Sequence, residues 1–450
     1  PAGSARFVRA TFGRGSFKGD RVTIARKLAW TVGAVVGLPA VAMTALTVTS
    51  LLDGHFGDSH AESAHGPGSD WRSHLPGGLV RAAAVEASYV GARLAGLMHS
   101  HEPAKRVEAG ALGQAQQSWQ ALQSATGIAG SHGLFAETPG NSMKPATVWP
   151  LGQVLNAALD VAAINGDYRD VNSIFSKLSI YENDGAYAPG VWTTGKHRLW
   201  DDNAWIALDM LQAWRQTGDM RYVQSVEKMM PFFDAGIRPD GGVWWQENNS
   251  HMSVNTCSTA PVEQVMLGMY EATGDHAYLD RALRIDDFLQ RRLRRDDGLY
   301  VDHIGADGRV NNAIWSYNQG TPIFASVQLF RITGDHAYLD RAQRTADAVI
   351  AWATHNDTLW KQPPAFNAIL FRNLLALDAV SPQPAVHDLM RDYLKRAWNE
   401  ARDPQSGWFT KAGIGSYSDS GHGTSIDQAA MVQMFAMLAS HDRSTTSSSH

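Results

Sequence analysis

An all-α toroid of six helical hairpins, (α/α)6, is the fold this sequence predicts, and three observations predict it. The decapeptide TGDHAYLDRA occurs twice, at Thr273–Ala282 and at Thr333–Ala342. Weaker copies, TGDMRYVQSV from Thr217 and NGDYRDVNSI from Asn165, put the Gly-Asp pairs at 166, 218, 274 and 334, in steps of 52, 56 and 60 residues. Periods of this size mark a repeated supersecondary unit. Each pair also separates a segment that is apolar nearly all round from one with alternating apolar and charged faces, as a buried helix followed by a half-solvated one would read.

The buried segments are Trp149–Ile164, Asp201–Arg215, Ala260–Ala272, Tyr317–Ile332, Ala365–Ala379 and Ser425–Ala439. That makes six inner helices. Segments such as Tyr278–Leu293 supply outer partners, and either Val80–Met98 or Ala111–Ser124 contributes the first. Glycine at each junction suits a left-handed helix end, and the aspartate after it can cap the next helix. One domain is expected over 77–440, with few and short strands. The Gly-Asp turns are short and share one face of the ring. The returns from outer to inner helix are long, about 20 residues or more, and long loops on a rigid scaffold are where function concentrates. The first turns of the inner helices open onto that long-loop face.

Composition narrows the function. Of 450 residues, 44% are hydrophobic and 18% charged, which is globular. Lys+Arg total 39 against 44 Asp+Glu, a formal charge of −5, which argues against a nucleic-acid partner. The single cysteine, Cys257, excludes an intrachain disulfide framework and reads as a small buried side chain. Residues 1–27 form a basic flank holding Arg6, Arg9, Arg14, Lys18, Arg21, Arg26 and Lys27 against Asp20 alone. Leu28–Leu52 then carries no charge, the pattern of a signal peptide or a membrane anchor. By that pattern the catalytic part faces outward, secreted or anchored. Residues 53–76 read as a Gly/His/Ser linker, and 441–450 as a disordered tail. A monomer is expected.

The candidate chemistry lies in LWDDNAW, 199–205. Asp201 and Asp202 stand together at the start of an otherwise apolar helix. A cap and a dipole partner explain one acid more easily than two. Glycosidic cleavage needs a carboxylate pair, one to protonate the departing oxygen and one to attack the anomeric carbon or activate water. Adjacent residues can bring carboxylates to about 5–6 Å, nearer the retaining geometry than the inverting one. Their like charges should split the pKa values, leaving one ionised and one protonated near neutrality. Candidate substrate contacts on the same face are Trp200, Asn203, Trp244 and Trp245 of GGVWWQ, Asn255 of SVNTCSTAP, Asp302 of GLYVDH, Tyr317, Asn318 and Gln319 of WSYNQG, and Asp427 of SIDQAAM. Their recurrence at equivalent places in several hairpins is the argument for them. No phosphate-binding loop, zinc-protease motif or serine nucleophile elbow is present.

These segments resemble glycoside hydrolase family 76, the endo-α-1,6-mannanases. WPLGQ (149–153), GAYAPGVW (185–192), LWDDNAW, GGVWWQ (241–246), NTCSTAP (255–261), SYNQG (316–320) and DQAAMVQMFAMLA (427–439) follow the family's order over about 145–440. The chain departs at Trp200, where the family often has tyrosine, and 248–253 has no counterpart. The resemblance implies an (α/α)6 fold and a retaining hydrolase with Asp201 as nucleophile and Asp202 as general acid/base. It implies an α-mannan polysaccharide or glycolipid as partner, and neither metal nor cofactor. Two other classes remain open. One is another (α/α)6 activity such as an epimerase or unsaturated-uronyl hydrolase, although an epimerase would want histidines converging in the ring and the inner helices have almost none. The other is a non-catalytic glycan-binding envelope protein, which would bind mannan without turnover.

Overall fold

The computed structural model describes residues 110–447 apart from 142–143, 194–196, 248–252, 411–414 and 416–422. The basic flank, the apolar segment, the linker and Val80–Met98 lie outside the described residues. Thirteen α-helices are described: α1 Ala111–Thr126, α2 Val148–Asn165, α3 Arg169–Lys177, α4 Trp200–Thr217, α5 Met220–Gly236, α6 Thr256–Thr273, α7 His276–Phe288, α8 Ser316–Thr333, α9 His336–Thr354, the short α10 Thr358–Lys361, α11 Pro364–Asp378, α12 Pro384–Arg396 and α13 Ser425–Ser447. Five two-residue strands lie in the long returns. β1 Glu182–Asn183 pairs antiparallel with β2 Ala186–Tyr187. β3 Val254–Asn255, β4 His303–Ile304 and β5 Val310–Asn311 form an antiparallel sheet in that order, with Asn255 opposite His303 and His303 opposite Asn311.

Six helices form the inner ring. α2 packs on α4, α4 on α6, α6 on α8, α8 on α11, α11 on α13, and α13 returns to α2. This last contact closes the toroid. The expected inner helices are therefore all present; four are longer by one to four residues at their ends, α11 is shifted by one residue, and α13 runs eight residues further. α1 is an outer helix, and it packs against α13 at the far end of the chain. The sixth hairpin is thus assembled from both ends of the described chain. Gln428 of α13 reinforces the closure by donating from Nε2 to the Ser118 carbonyl of α1 at 3.1 Å.

The repeat works locally as its residues require. Gly166, Gly218, Gly274 and Gly334 each end an inner helix in the left-handed region, with φ of 76°, 73°, 73° and 72°. A side chain there would be strained, so glycine recurs. Asp219, Asp275 and Asp335 then cap the next helix, each carboxylate accepting from the backbone N–H two residues on, at 3.0, 2.9 and 2.9 Å. In the first copy Asp167 makes the same bond to Arg169 N–H, although the helix boundary there falls at Tyr168.

Two expectations change. The return from α9 to α11 spans only His355–Pro363 and carries α10, so one of the long loops is short. Helix α13 continues to Ser447, beyond the expected end of the domain at 440 and into the expected tail. The polar Ser/Thr composition of that stretch does not stop a helix whose preceding turns are anchored by buried Met431, Met434, Phe435 and Leu438. No helix among the described residues is long and apolar enough to cross a membrane.

Candidate active site

The inner helices begin on one face, and lining up their starts separates two kinds of residue. The fourth residues are Leu151, Asn203, Thr259, Gln319, Asn367 and Gln428. Five of these six are polar and all six are buried. Asn203 Oδ1 accepts from Tyr187 N–H at 2.7 Å, while its Nδ2 donates to the Tyr187 carbonyl at 3.0 Å and the Leu199 carbonyl at 2.8 Å. Gln319 repeats this one hairpin pair later: Oε1 accepts from Tyr300 N–H at 2.7 Å, and Nε2 donates to the carbonyls of Tyr300 and Trp315 at 2.9 and 3.1 Å. Gln428 holds Phe409 N–H at 3.1 Å, and Thr259 Oγ1 accepts from Val243 N–H at 3.3 Å. Asn367 Nδ2 donates to the Leu359 carbonyl at 3.0 Å. These side chains clamp the incoming loop backbone onto each helix start, satisfying buried peptide groups that have no sheet or helix partner.

Asn203 and Gln319, two of the expected substrate contacts, are buried with their amides engaged by loop backbone. Equivalence across the repeat, the argument for them, reports what every hairpin needs structurally. Trp200, another expected contact, also points into the protein. It is buried at 3% exposure, stacked on Phe232 with centroids 5.2 Å apart, and its indole N–H donates to the Phe232 carbonyl at 2.9 Å. Gly236 makes room for it: a Cβ there would stand 2.1 Å from Trp200 Nε1.

The second and third positions differ from hairpin to hairpin, and the acid pair is there. Asp201 and Asp202 are half-buried in the first turn of α4. Asp201 Oδ2 accepts from Trp245 Nε1–H at 2.9 Å and from the Cys257 thiol at 3.4 Å, and Oδ1 accepts from Asp202 N–H at 3.0 Å. Cys257 occupies the second position of α6, and Tyr317 the second position of α8. The charges of Asp201 and Asp302 reach both Cys257 and Tyr317. Tyr317 lies flat on Phe366, the third residue of α11, with centroids 4.0 Å apart and planes 12° apart.

Burial pushes both carboxyls up. Asp201 rises to about 6, because the three donors oppose desolvation by favouring its charged form. Asp202 is driven well above the ordinary carboxylate range by burial and then by the charge of Asp201. The pair is thus split: Asp201 is the member that ionises and Asp202 the member that keeps its proton. Burial also holds Cys257 and Tyr317 protonated, with Asp201's charge adding to both.

Loop geometry explains which tryptophan reaches the site. Arg198 to Trp200 runs antiparallel to Trp245–Glu247, with Trp200 N–H donating to the Trp245 carbonyl and Glu247 N–H to the Arg198 carbonyl, both at 3.0 Å. Side chains alternate along such a ribbon. Trp245 points to Asp201, while Trp244 packs against the core beneath the Arg238 guanidinium, 4.6 Å from its ring centre. Of the two expected stacking residues only Trp245 touches the acid pair. The ribbon is locked by a buried two-pronged ion pair, Arg198 Nε and Nη2 on the Glu247 carboxylate, each at 2.8 Å. Arg198 Nη1 also donates to the carbonyls of Asn183 and Asp184.

The remaining candidates divide. Asp302 Oδ1 accepts from Asn318 Nδ2 at 3.4 Å, Oδ2 lies 2.8 Å from His303 Nδ1, and its charge acts on Cys257 and Tyr317, so it borders that side of the site. Asn318 is fully buried and its Oδ1 has no partner. Asn255 is buried and accepts from Ser253 Oγ at 2.6 Å without capping α6 through its side chain. Asp427 is buried and accepts from Thr424 Oγ1 at 3.0 Å. Sequence reasoning missed Cys257 and Arg198. Lining up the helix starts would have found Cys257, because it shares the second position with Asp201 and Tyr317.

Known proteins match this chain in sequence family and in fold. The glycosyl hydrolase family 76 model matches residues 116–448, which covers most of the chain. The chain belongs to that family. A mannan endo-1,6-α-mannosidase of Candida glabrata is 27% identical over 117 residues, 24% of this chain, and the match spans about a quarter of that relative's own length (26%). A family 76 mannosidase of Bacteroides thetaiotaomicron shares the fold, with a TM-score of 0.66 at 23% identity over 74% of this chain and 99% of that one. An α-1,6-mannanase of a Salegentibacter species, an inactive variant with two consecutive aspartates replaced by asparagine in complex with α-1,6-mannotriose, matches at a TM-score of 0.63 and 20% identity over 73% of this chain and 99% of that one.

Proposed function

We propose that this family 76 chain hydrolyses α-1,6-mannosidic linkages of a mannan polysaccharide or glycolipid with retention of anomeric configuration. The observation that carries the reading is the unequal hydrogen bonding of two adjacent acids. Asp201 has three donors on its carboxylate, and Asp202 is pushed further toward its neutral form. In the first step Asp201 attacks the anomeric carbon as the bond to the departing 6-oxygen breaks, and Asp202 gives its proton to that oxygen. A mannosyl ester on Asp201 results. Asp202, now a carboxylate, takes a proton from water as the water oxygen attacks the same carbon. Asp201 leaves as carboxylate, Asp202 is protonated again, and the product carries the starting configuration. The inactive relative, with its consecutive aspartates replaced, supports assigning the chemistry to this pair.

The relatives named for α-1,6-mannan support the linkage. Outward location, by secretion or by anchoring through residues 28–52, and action as a monomer belong to the same proposal. The first rests on the basic flank and uncharged run of the N-terminal sequence. The test is hydrolysis of linear α-1,6-mannan followed by proton NMR at early times, wild type beside Asp201→Asn. The α-anomer appearing first, with no turnover by the variant, is the expected result. A β-anomer first would overturn retention. Mannan bound without turnover by the wild type would overturn the enzyme reading.

A further inference from the structure

We propose that Asp378, His387 and His441 bind one divalent transition-metal ion, of the zinc, cobalt or nickel class, on the face of the ring away from the acid pair. The three residues come from three helices. Asp378 ends α11, His387 lies near the start of α12, and His441 is in the last turns of α13. The inner helices start at the acid-pair face, and the 15 residues of α11 rise about 1.5 Å each, so Asp378 stands about 20 Å down the ring axis from that face. The proposal is independent of what the acids do.

The geometry is convergent. One donor atom from each residue lies within 4.8 Å of the others. Asp378 Oδ2 is 2.9 Å from His387 Nε2. The His441 ring lies on the His387 ring with centroids 3.7 Å apart and planes 26° apart. Metal–ligand bonds of about 2.0–2.2 Å set tetrahedral donors about 3.3 Å apart, so binding an ion requires the widest donor pair to close by about 1.5 Å at most. The Asp378–His387 edge is already shorter than that spacing. His387 Nδ1 is buried without a hydrogen-bond partner, so the ring is polar on a side that the packing leaves unused. Behind His441, Asp442 Oδ1 is 3.7 Å from Nδ1 and is itself held by Arg391 at 2.6 Å. A carboxylate behind a ligating imidazole is a recurrent second partner at metal sites.

Two imidazoles and one carboxylate form a borderline donor set, which suits zinc, cobalt and nickel better than calcium or magnesium. The consequence is mechanical. α13 closes the ring against α2, and its last turns carry His441. A metal there ties those turns to α11 and α12.

The experiment is titration of the chelator-treated full chain with Co²⁺, read by its visible d–d absorption, and with Zn²⁺ by calorimetry, with thermal unfolding alongside. One equivalent should bind with a Kd of about 1 µM or tighter. At 100 times Kd the folding equilibrium shifts about 100-fold and Tm rises. His441→Asn, a change at a half-exposed ring, should abolish the cobalt bands and the Tm rise while the variant still folds; His387→Asn should do the same. Absence of stoichiometric binding would overturn the proposal. So would binding that persists unchanged in His441→Asn, which would place the ion on other histidines.

Discussion

Replacing Trp245 by phenylalanine removes one hydrogen-bond donor from Asp201 together with part of the indole ring. The indole N–H lies 2.9 Å from Asp201 Oδ2, and phenylalanine keeps an aromatic ring in the same loop position. A hydrogen bond to a charged group is worth about 1.5–3 kcal/mol. The bond favours ionised Asp201, so its loss raises that carboxyl's pKa, and at 1.36 kcal/mol per unit the rise is about 1–2 units. In the proposed mechanism Asp201 must be ionised to attack, so activity should fall as pH drops through its pKa of about 6. Asp202 must be protonated, so activity falls again as pH rises through its higher value. The kcat/KM profile of the wild type should therefore be bell-shaped. Trp245→Phe should move the acid limb upward by about 1–2 units and narrow the bell, costing about 10- to 100-fold at pH 5 and much less near the alkaline limb. A loss equal at every pH, with the acid limb unmoved, would refute this reasoning. It would show Trp245 acting on the substrate and not on Asp201.

Cys257→Ala should shift the acid limb the same way by less, because a thiol at 3.4 Å is a weaker donor; Cys257→Ser should restore it, and equal profiles for both variants would remove Cys257 from the donors that set Asp201. Gly236→Ala drives a methyl into Trp200, which should cost about 1–3 kcal/mol of stability in chemical denaturation and lower kcat through the displaced start of α4. Gln319→Leu leaves the Tyr300 peptide groups buried without partners, so stability should fall by about 1–3 kcal/mol per group while KM stays level; a raised KM with unchanged Tm would return Gln319 to the substrate. Glu247→Ala strands the Arg198 charge in the interior, and about 3–5 kcal/mol of destabilisation is expected from urea unfolding.

By itself the sequence determined the ring. A Gly-Asp turn every 52 to 60 residues, a left-handed glycine and a capping aspartate are local instructions, and apolar segments without a polar face have nowhere to go but inside. Asp201 and Asp202 were legible for the same reason: two adjacent acids opening a buried helix conflict with local propensity, and such conflicts mark sites. Tertiary structure decided what no local pattern contains. It made α1 the outer partner of α13, because closure depends on which surfaces meet after the ring has formed. It set Trp200, Asn203 and Gln319 against loop backbone and core, which the sequence does not distinguish, because a polar or aromatic side chain at a helix start reads the same whether it faces a ligand or an incoming loop backbone. It separated Trp245 from Trp244 by the alternation of a ribbon whose register is set by Arg198 and Glu247, 49 residues apart. The difference in proton affinity between the two acids was decided there too, since identical side chains differ only in the donors and the burial that the fold brings to each.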